Sequence, residues 1–176
     1  MIRKIYMLND FLKEKFNEKI YKVSLDGGFT CPNRDGKVSK GGCIFCSENG
    51  SGDFTATKLK SIHEQIEEQI DLVSKKYKGD KYIAYFQNFT NTYAEVSYLR
   101  KIYQEALSHE KIVGLAIATR PDCLGDDVLE LLAELNKKTF LWVELGLQTV
   151  NDDVAKYFNR AYETEIYKNA SEKLNK

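Results

Sequence analysis

The sequence lacks any long hydrophobic run. No apolar stretch approaches the ~20 residues that a membrane-spanning helix needs, so we predict no membrane partner. The first residues, MIRKIYMLNDFLKEKF, also lack the apolar segment and the small-residue cleavage site of a secretory signal. We therefore expect a cytoplasmic protein, in which cysteines stay reduced and serve as metal ligands or reactive thiols rather than disulfides.

An excess of charge of either sign is also missing. Lys and Arg together number 26, as do Asp and Glu, so the formal net charge of the 176-residue chain is zero. This balance argues against a strong non-specific nucleic-acid binder. We interpret the small basic group near the cysteines as solvated loop cations; its members are Arg34, Lys37, Lys40, Lys58 and Lys60.

Cysteine is scarce, and its distribution is the most informative feature of the chain. Three of the four cysteines, Cys31, Cys43 and Cys46, lie in the segment CPNRDGKVSKGGCIFC, called here the cysteine loop. A structural zinc site takes four ligands, often as two C-x2-C pairs, and this loop offers one pair and one distant cysteine. The candidates for a fourth ligand are Cys123, His63 and His109, so a zinc-stabilised binding module stays open.

An iron–sulfur cluster accounts better for a group of three cysteines. An electron-carrying ferredoxin normally supplies four thiolates, so an electron carrier is a second alternative that needs a fourth protein ligand. A cubane cluster held by three thiolates keeps one iron open. An open iron invites a substrate or cofactor to coordinate, as the open position of a catalytic zinc does.

Hydrophobic periodicity predicts strands that alternate with amphipathic helices. This alternation implies parallel strands joined by right-handed helical crossovers. A first helix within residues 1–20, capped by Asn9 or Asp10, precedes the first strand. The strands are expected at residues 21–25, 82–86, 112–118 and 140–147, and the later helices at residues 62–77, 95–108, 128–135, from 151 or 152 onward, and from 164 to the end.

Polar residues follow each predicted strand. The cysteine loop follows the first strand, QNFTNT the second and TRPD the third, while Glu144 and Gln148 lie toward the end of the fourth. In a parallel α/β barrel all these strand ends meet on one face, where active sites are built. Each cluster alone is typical of a solvated loop, but four in succession predict a functional site on this rim.

The cysteine loop and its setting resemble the radical S-adenosylmethionine (radical SAM) superfamily. The segments SLDGGFTCPNRDG, GGCIFC, YFQNFTNTYA, ATRPDCL and WVELGLQT look like a bacterial group of radical SAM proteins labelled YhcC-like, over nearly the whole chain. Eleven residues separate the first two cysteines, whereas the superfamily's commonest spacing is three. This longer gap is similar to the branch that contains the Elongator catalytic subunit.

The resemblance implies a fold, two cofactors and partners. The fold would be a partial parallel (β/α) barrel, with about four βα units in this chain, in which Cys31, Cys43 and Cys46 bind a 4Fe–4S cluster. S-adenosylmethionine (SAM) would occupy the open iron, and its reductive cleavage would give a 5′-deoxyadenosyl radical that abstracts hydrogen from a substrate. An electron donor such as flavodoxin or ferredoxin is implied, and the Elongator-like spacing suggests tRNA, for which the composition gives little support.

The resemblance also implies contacts with SAM. Phe45 would pack near the adenine, the segment from Gln87 to Thr92 would contact the methionine amino group, and the strand-four region would hold the ribose and carboxylate. Without a cofactor, Glu144 is typical of a charge paired within the barrel, and Arg160 of an exposed cation at a helix end. The implied site comprises Phe45, Gln87, Asn91, Thr92, Thr119, Arg120, Glu144, Gln148 and Arg160.

The barrel of this family has about six strands, and the sequence supplies four. We therefore expect residues 1–176 to be a radical SAM core domain with an incomplete barrel, whose later strands and C-terminal region are absent. An open parallel edge invites association. We expect such a chain to bind a cluster but to turn over SAM poorly.

Overall fold

The structure is a computed structural model that describes residues 5–50 and 59–176. The segment SENGSGDFTA, residues 47–56, for which the sequence predicts a loop, lies partly outside these residues, and Lys58 lies outside them as well. The described residues contain four strands: β1 (Tyr21–Leu25), β2 (Tyr82–Phe86), β3 (Ile112–Thr119) and β4 (Phe140–Leu145). The helices are α1 (Leu8–Phe16), α2 (Ile62–Ser74), α3 (Val96–Leu107), α4 (Asp126–Asn136), α5 (Asp152–Tyr157) and α6 (Thr164–Leu174), with a 3-10 turn at Pro121–Cys123.

The four strands form one parallel sheet in the order β1-β2-β3-β4. The strand order follows the chain order, and a helix lies between each strand and the next, as a parallel crossover connection usually requires. This arrangement confirms the predicted partial parallel barrel. Within residues 5–50 and 59–176, no helix has the length and hydrophobicity that crossing a bilayer takes.

The outer face of the sheet carries the main core. Val23, Ala84, Leu115 and Leu141 share one register row across the four strands, and they pack with apolar side chains of α2, α3, α4 and α6. Burying a large apolar side chain contributes about 1.5–3 kcal/mol. This layer therefore supplies most of the stability and fixes the positions of the strand ends.

The inner face of the sheet is more polar and only partly covered. Helix α1 packs Leu12 and Phe16 against Ile83 and Phe140, near the N-terminal ends of the strands. The Phe16 and Phe140 rings meet edge to face with centroids 5.6 Å apart. The C-terminal ends of the strands are left uncovered by α1, and the polar residues gather there.

Several predicted boundaries were wrong, and contacts explain three of them. Met7, rather than Asn9 or Asp10, is the N-cap of α1, because the Asp10 carboxylate accepts a hydrogen bond from the Met7 N–H at 3.3 Å. Helix α2 ends at Ser74 rather than near residue 77, and Tyr77 instead stacks on Tyr21 with ring centroids 4.9 Å apart. The third error concerns β4, which ends two residues early at Leu145, because its partner there, Thr119, is the last residue of β3. The predicted cap at residue 151 is confirmed, since the Asn151 side chain accepts from two N–H groups of α5.

Tyr103 of α3 makes the free energy of unfolding depend on pH in the alkaline range. The side chain is fully buried and donates its hydroxyl to the Asn91 carbonyl, and burial raises the pKa of Tyr103 above its ordinary value. In the unfolded chain this phenol has a pKa of about 10. The stabilising effect is therefore fully present below pH ~10 and is lost as the pH rises further, because only the unfolded state then releases the proton.

Replacing Tyr103 by phenylalanine should reduce this alkaline loss of stability. Between pH ~9 and pH ~11 the free energy of unfolding of the variant should fall by about 1.4 kcal/mol less than that of the parent chain, since one pKa unit is worth about that much. Urea unfolding at the two pH values measures the difference. Parallel losses in the two proteins would show that Tyr103 ionises freely in the folded state.

Candidate active site

A cavity of about 500 Å³ opens at the carboxyl ends of the strands. The thiols of Cys31, Cys43 and Cys46, all partly buried, lie in its wall. The volume is in the range of small-molecule sites, roughly 300–1,000 Å³. The structure also brings most of the implied SAM contacts to this wall: Phe45, Gln87, Thr119, Arg120, Glu144, Gln148 and Arg160.

Tight turns shape the cysteine loop. The Arg34 N–H bonds to the Cys31 carbonyl at 2.8 Å, and the Cys46 N–H bonds to the Cys43 carbonyl at 3.0 Å. Gly42 has a φ of 79°, a left-handed conformation that glycine adopts at low cost. A Cβ at this position would lie 2.9 Å from Nε of Arg34, so glycine lets the chain fold back closely at the second cysteine.

The two thiols of the C-x2-C pair interact directly. A hydrogen bond from Cys43 lowers the pKa of Cys46 to about 7, with burial opposing the shift and the Arg34 guanidinium favouring it. The same contact, together with burial, raises the pKa of Cys43. A thiolate is therefore accessible at Cys46 near neutral pH, and the thiolate is the form that binds a metal.

The cavity wall also contains two residues with left-handed backbone conformations and one buried hydroxyl group. Phe89 and Gln148 line it with φ values of 58° and 62°, which are costly for residues other than glycine and often occur at functional sites. In the part of the chain that the structure describes, the buried Oγ1 of Thr90 has no hydrogen-bond partner. Buried polar groups normally have partners, so this hydroxyl fits a wall that faces a polar ligand.

Glu144 is held by two partners on the inner face of the sheet. Lys22 Nζ lies 3.0 Å from its Oε1, and the Tyr85 hydroxyl donates to its Oε2 at 2.6 Å. Burial and then this bond to the carboxylate raise the pKa of Tyr85, so its phenol remains a donor. Glu144 is thus a charge paired within the barrel, and it also lines the cavity.

Arg160 is fully buried, so the interpretation as an exposed helix-end cation was wrong. A guanidinium has five N–H donors, and the guanidinium of Arg160 donates five hydrogen bonds within the protein. The acceptors are the carbonyl oxygens of Tyr162, Leu147 and Thr149 and the side chains of Asp152 and Thr164. The implied bond to the SAM carboxylate would therefore require one of these contacts to open.

Asn91 and Thr92 lie behind the cavity wall. The Asn91 amide donates to the carbonyl oxygens near the ends of β2 and β3, at 3.0 and 2.7 Å. Thr92 Oγ1 lies 2.5 Å from Thr119 Oγ1 and donates to the Cys123 carbonyl at 2.6 Å. These buried side chains tie the loops after β2 and β3 together, and their implied contact with SAM stays a prediction.

Cys123 does not line the cavity of the three thiols. It lines a separate cavity with Pro32 and Thr92. Burial, followed by the nearby Asp122 carboxylate, raises the pKa of Cys123 to about 12. Its place in a separate cavity argues against Cys123 as a fourth zinc ligand.

His63 and His109 pair with each other, with ring centroids 4.8 Å apart, at the start of α2 and the end of α3. Nδ1 of His109 accepts a hydrogen bond from the Lys111 N–H at 3.2 Å, so its Nε2 carries the proton and donates to Glu67 at 2.9 Å. His109 is therefore a hydrogen-bond donor in this group. Neither histidine lines the cavity of the three thiols.

Sequence reasoning missed several residues of the cavity wall: Tyr85, Phe89, Thr90 and Tyr162. Phe89 and Thr90 belong to a segment that the sequence did single out, but no pattern marked them individually. Tyr85 is one of the alternating residues of a strand, and only the register shows that it faces the cavity. No sequence pattern marks Tyr162. In the structure, burial raises its pKa to about 12, and the Arg120 guanidinium lies 4.9 Å from its ring centroid.

Comparison with known proteins places this chain in a family. The chain matches the Radical SAM superfamily over residues 31–176. It is 50% identical over 174 residues to YtqA of Bacillus subtilis, covering 99% of this chain and 54% of YtqA. It is 41% identical over 169 residues to YhcC of Escherichia coli K12, covering 96% of this chain and 53% of YhcC. The chain thus spans about half the length of these relatives.

The fold is also similar to that of a solved archaeal protein. Elp3 of Methanocaldococcus infernus, with its N-terminus deleted, superimposes with a TM-score of 0.55 at 17% identity, over 86% of this chain and 34% of that chain. At this identity the likeness concerns the fold alone. The superfamily match covers most of the chain and includes all three cysteines of the loop, so the chain belongs to the radical SAM superfamily.

Proposed function

We propose that this chain carries the cluster-binding and SAM-binding half of a radical SAM enzyme. One observation carries the proposal: three thiols share a cavity with polar strand-end side chains, and no fourth thiol of the described residues lines it. Three thiolates fit a cluster that keeps one iron open, whereas a structural zinc site needs a fourth ligand.

In this proposal Cys31, Cys43 and Cys46 hold a 4Fe–4S cluster, and SAM lies over it in the cavity. When bound, the two cofactors supply reductive cleavage of SAM and hydrogen abstraction from a substrate, which is the chemistry of the cofactors themselves. The chain's own task is to hold SAM against the cluster and to keep water away. The same function requires a reductant such as flavodoxin or ferredoxin and a cytoplasmic setting that keeps thiols reduced.

The residues of the wall suit the parts of SAM in different ways. The Phe45 ring, 55% exposed and set against Phe158 with centroids 5.3 Å apart, offers an apolar surface to the adenine. Gln148 is exposed on the wall, where its amide can bond ribose hydroxyls. Gln87, Thr119 and Glu144 add polar groups at the strand ends.

Two arginines bring positive charge to the same wall. Arg120 donates to the Asp122 carboxylate at 2.9 and 2.7 Å and to the Arg160 carbonyl at 2.9 Å, which leaves two of its five donors for a ligand. In our proposal Arg120 is the better placed to meet the SAM carboxylate. Arg160 would act mainly by shaping the backbone around Leu147 and Thr149.

We also propose that residues 1–176 form a core domain whose barrel is incomplete. β4 lies at the edge of the sheet, and all six of its residues are only partly buried. The relatives are about twice as long as this chain, and part of that additional length would complete the wall of the cavity. An incomplete wall excludes water poorly, so we expect slow turnover of SAM by this chain alone.

The yield of 5′-deoxyadenosine tests this function. The chain and full-length YtqA would be reconstituted anaerobically to equal iron content, reduced with dithionite and incubated with SAM. We expect product from the chain that depends on the cluster, at a lower yield than from YtqA. Product that is independent of iron would overturn the proposed function, and a yield equal to that of YtqA would overturn only the incomplete barrel.

A further inference from the structure

Asn33 directs its side chain at one of the loop cysteines and its backbone carbonyl at the residue before that cysteine. It is fully buried, and its Nδ2 lies 3.5 Å from Cys43 Sγ in hydrogen-bonding geometry. The same nitrogen donates its other hydrogen to the Asn159 carbonyl at 2.6 Å. The Asn33 carbonyl accepts from the N–H of Gly42, the residue before Cys43, at 2.8 Å. Asn33 therefore contacts the chain at Cys43 from two directions.

The chemistry of the neighbours fixes the orientation of this amide. Turning it round would set Oδ1 against the Asn159 carbonyl and the Cys43 sulfur, both of which accept hydrogen bonds. In the orientation observed, Oδ1 is buried, and the described residues give it no partner. A buried acceptor without a partner is costly. Despite this cost, the observed orientation places the NH2 group against the Cys43 sulfur, where it donates a hydrogen bond.

Asn159, which follows α5, holds the other side of the loop. Its φ of 58° is a left-handed conformation that asparagine tolerates. Its side-chain amide donates to the carbonyl oxygens of Gly42 at 2.8 Å and Lys40 at 3.3 Å, and Ser39 Oγ donates to its Oδ1 at 3.3 Å. The Asn159 carbonyl thus positions the Asn33 amide, while its side chain separately holds the backbone before Cys43.

We propose that Asn33 is a positioning residue that tunes the cluster through Cys43, by donating an N–H···S hydrogen bond to the ligand sulfur. The inference rests on the proposed function, because it requires a cluster on the three thiolates. Hydrogen bonds to cysteine sulfurs are among the factors that set iron–sulfur reduction potentials. Reduction adds negative charge, which such a bond stabilises, so the bond raises the potential and makes the cluster easier to reduce.

Two variants separate the hydrogen bond from the shape of the loop. Asn33→Leu keeps a similar volume and removes the donor. Asn159→Gly is the matched control, because glycine suits the left-handed backbone and keeps the carbonyl that holds Asn33, while the side-chain bonds to Lys40 and Gly42 are lost. The cluster midpoint potential of each reconstituted protein would be measured by redox titration followed by EPR.

The expected results differ between the two variants. Asn33→Leu should shift the midpoint to a more negative potential. Asn159→Gly should lose its cluster faster than the parent chain but keep the parent's midpoint. An unchanged midpoint in Asn33→Leu, or an equal shift in both variants, would overturn the role of Asn33. Either result would leave the proposed function intact as long as the cluster still responds to SAM.

A measurement on the parent chain covers the case in which Asn33→Leu fails to fold or to load a cluster. The chain would be labelled with ¹⁵N-asparagine and studied by pulsed EPR in the reduced state. We expect a ¹⁵N coupling from an asparagine amide bonded to a ligand sulfur. A cluster that shows no such coupling would overturn the inference alone. A parent chain that forms no cluster would overturn the proposed function and the inference together.

Discussion

Replacing Cys31, Cys43 or Cys46 by alanine should abolish cluster loading in each case. The parent chain should bind roughly four irons and four sulfides after reconstitution, whereas each variant should bind almost none. The reason is that two thiolates cannot retain a cubane cluster that already lacks a fourth protein ligand. Iron and sulfide analysis, together with the visible absorption of the reconstituted proteins, measures the loss.

Cys123→Ala is the matched control for these three variants. Cys123 is partly buried like the other cysteines but lines a different cavity, so its loss should leave the iron content unchanged. A fall in iron content in this variant would mean that the cluster has four protein ligands. That outcome would favour an electron carrier and would contradict the open iron.

Replacing Arg160 by methionine should lower the free energy of unfolding by about 1–3 kcal/mol, because it leaves buried acceptors without their charged donor. The substitution removes all five donor contacts of a side chain that is 1% exposed. The carbonyl oxygens of Leu147, Thr149 and Tyr162 would then lose a charged donor. Urea unfolding monitored by circular dichroism measures the change.

Arg100→Met is the control for this loss of stability. Arg100 pairs with Glu134 at 2.7 Å, but both side chains are 37% exposed, and such surface pairs contribute about 0–1 kcal/mol. If Arg160→Met were no more destabilised than Arg100→Met and yet bound SAM more weakly, the main role of Arg160 would be cofactor binding. That result would contradict the structural role inferred from its contacts.

The strands could be predicted from the sequence because the signal for them is local. β1 and β2 follow from short alternating or apolar runs, and their bounds match the expectation at both ends. The gathering of polar residues at one rim could be predicted from the topology, since parallel strands place their carboxyl ends together. Boundaries failed where a neighbouring strand decided them, as at β4, which pairs with β3 only as far as Thr119, the last residue of β3.

The interior of the site could not be predicted from local patterns. The Asn33 amide meets the carbonyl of Asn159, 126 positions away, and Lys22 meets Glu144 across 122 positions. Periodicity carries no information on such pairs, because it describes only the neighbours of each residue along the chain. For the same reason the sequence could not distinguish a buried, fully bonded arginine at position 160 from an exposed one.

The measurement that most directly tests the proposed function is EPR of the reduced, reconstituted chain with and without SAM. We predict the signal of a reduced 4Fe–4S cluster that changes when SAM is added, because SAM would coordinate the iron that the three thiolates leave open. The Cys123→Ala variant should show the same change. A signal that does not respond to SAM, or a colourless protein that holds one tightly bound zinc, would contradict the open iron on which the proposed function depends.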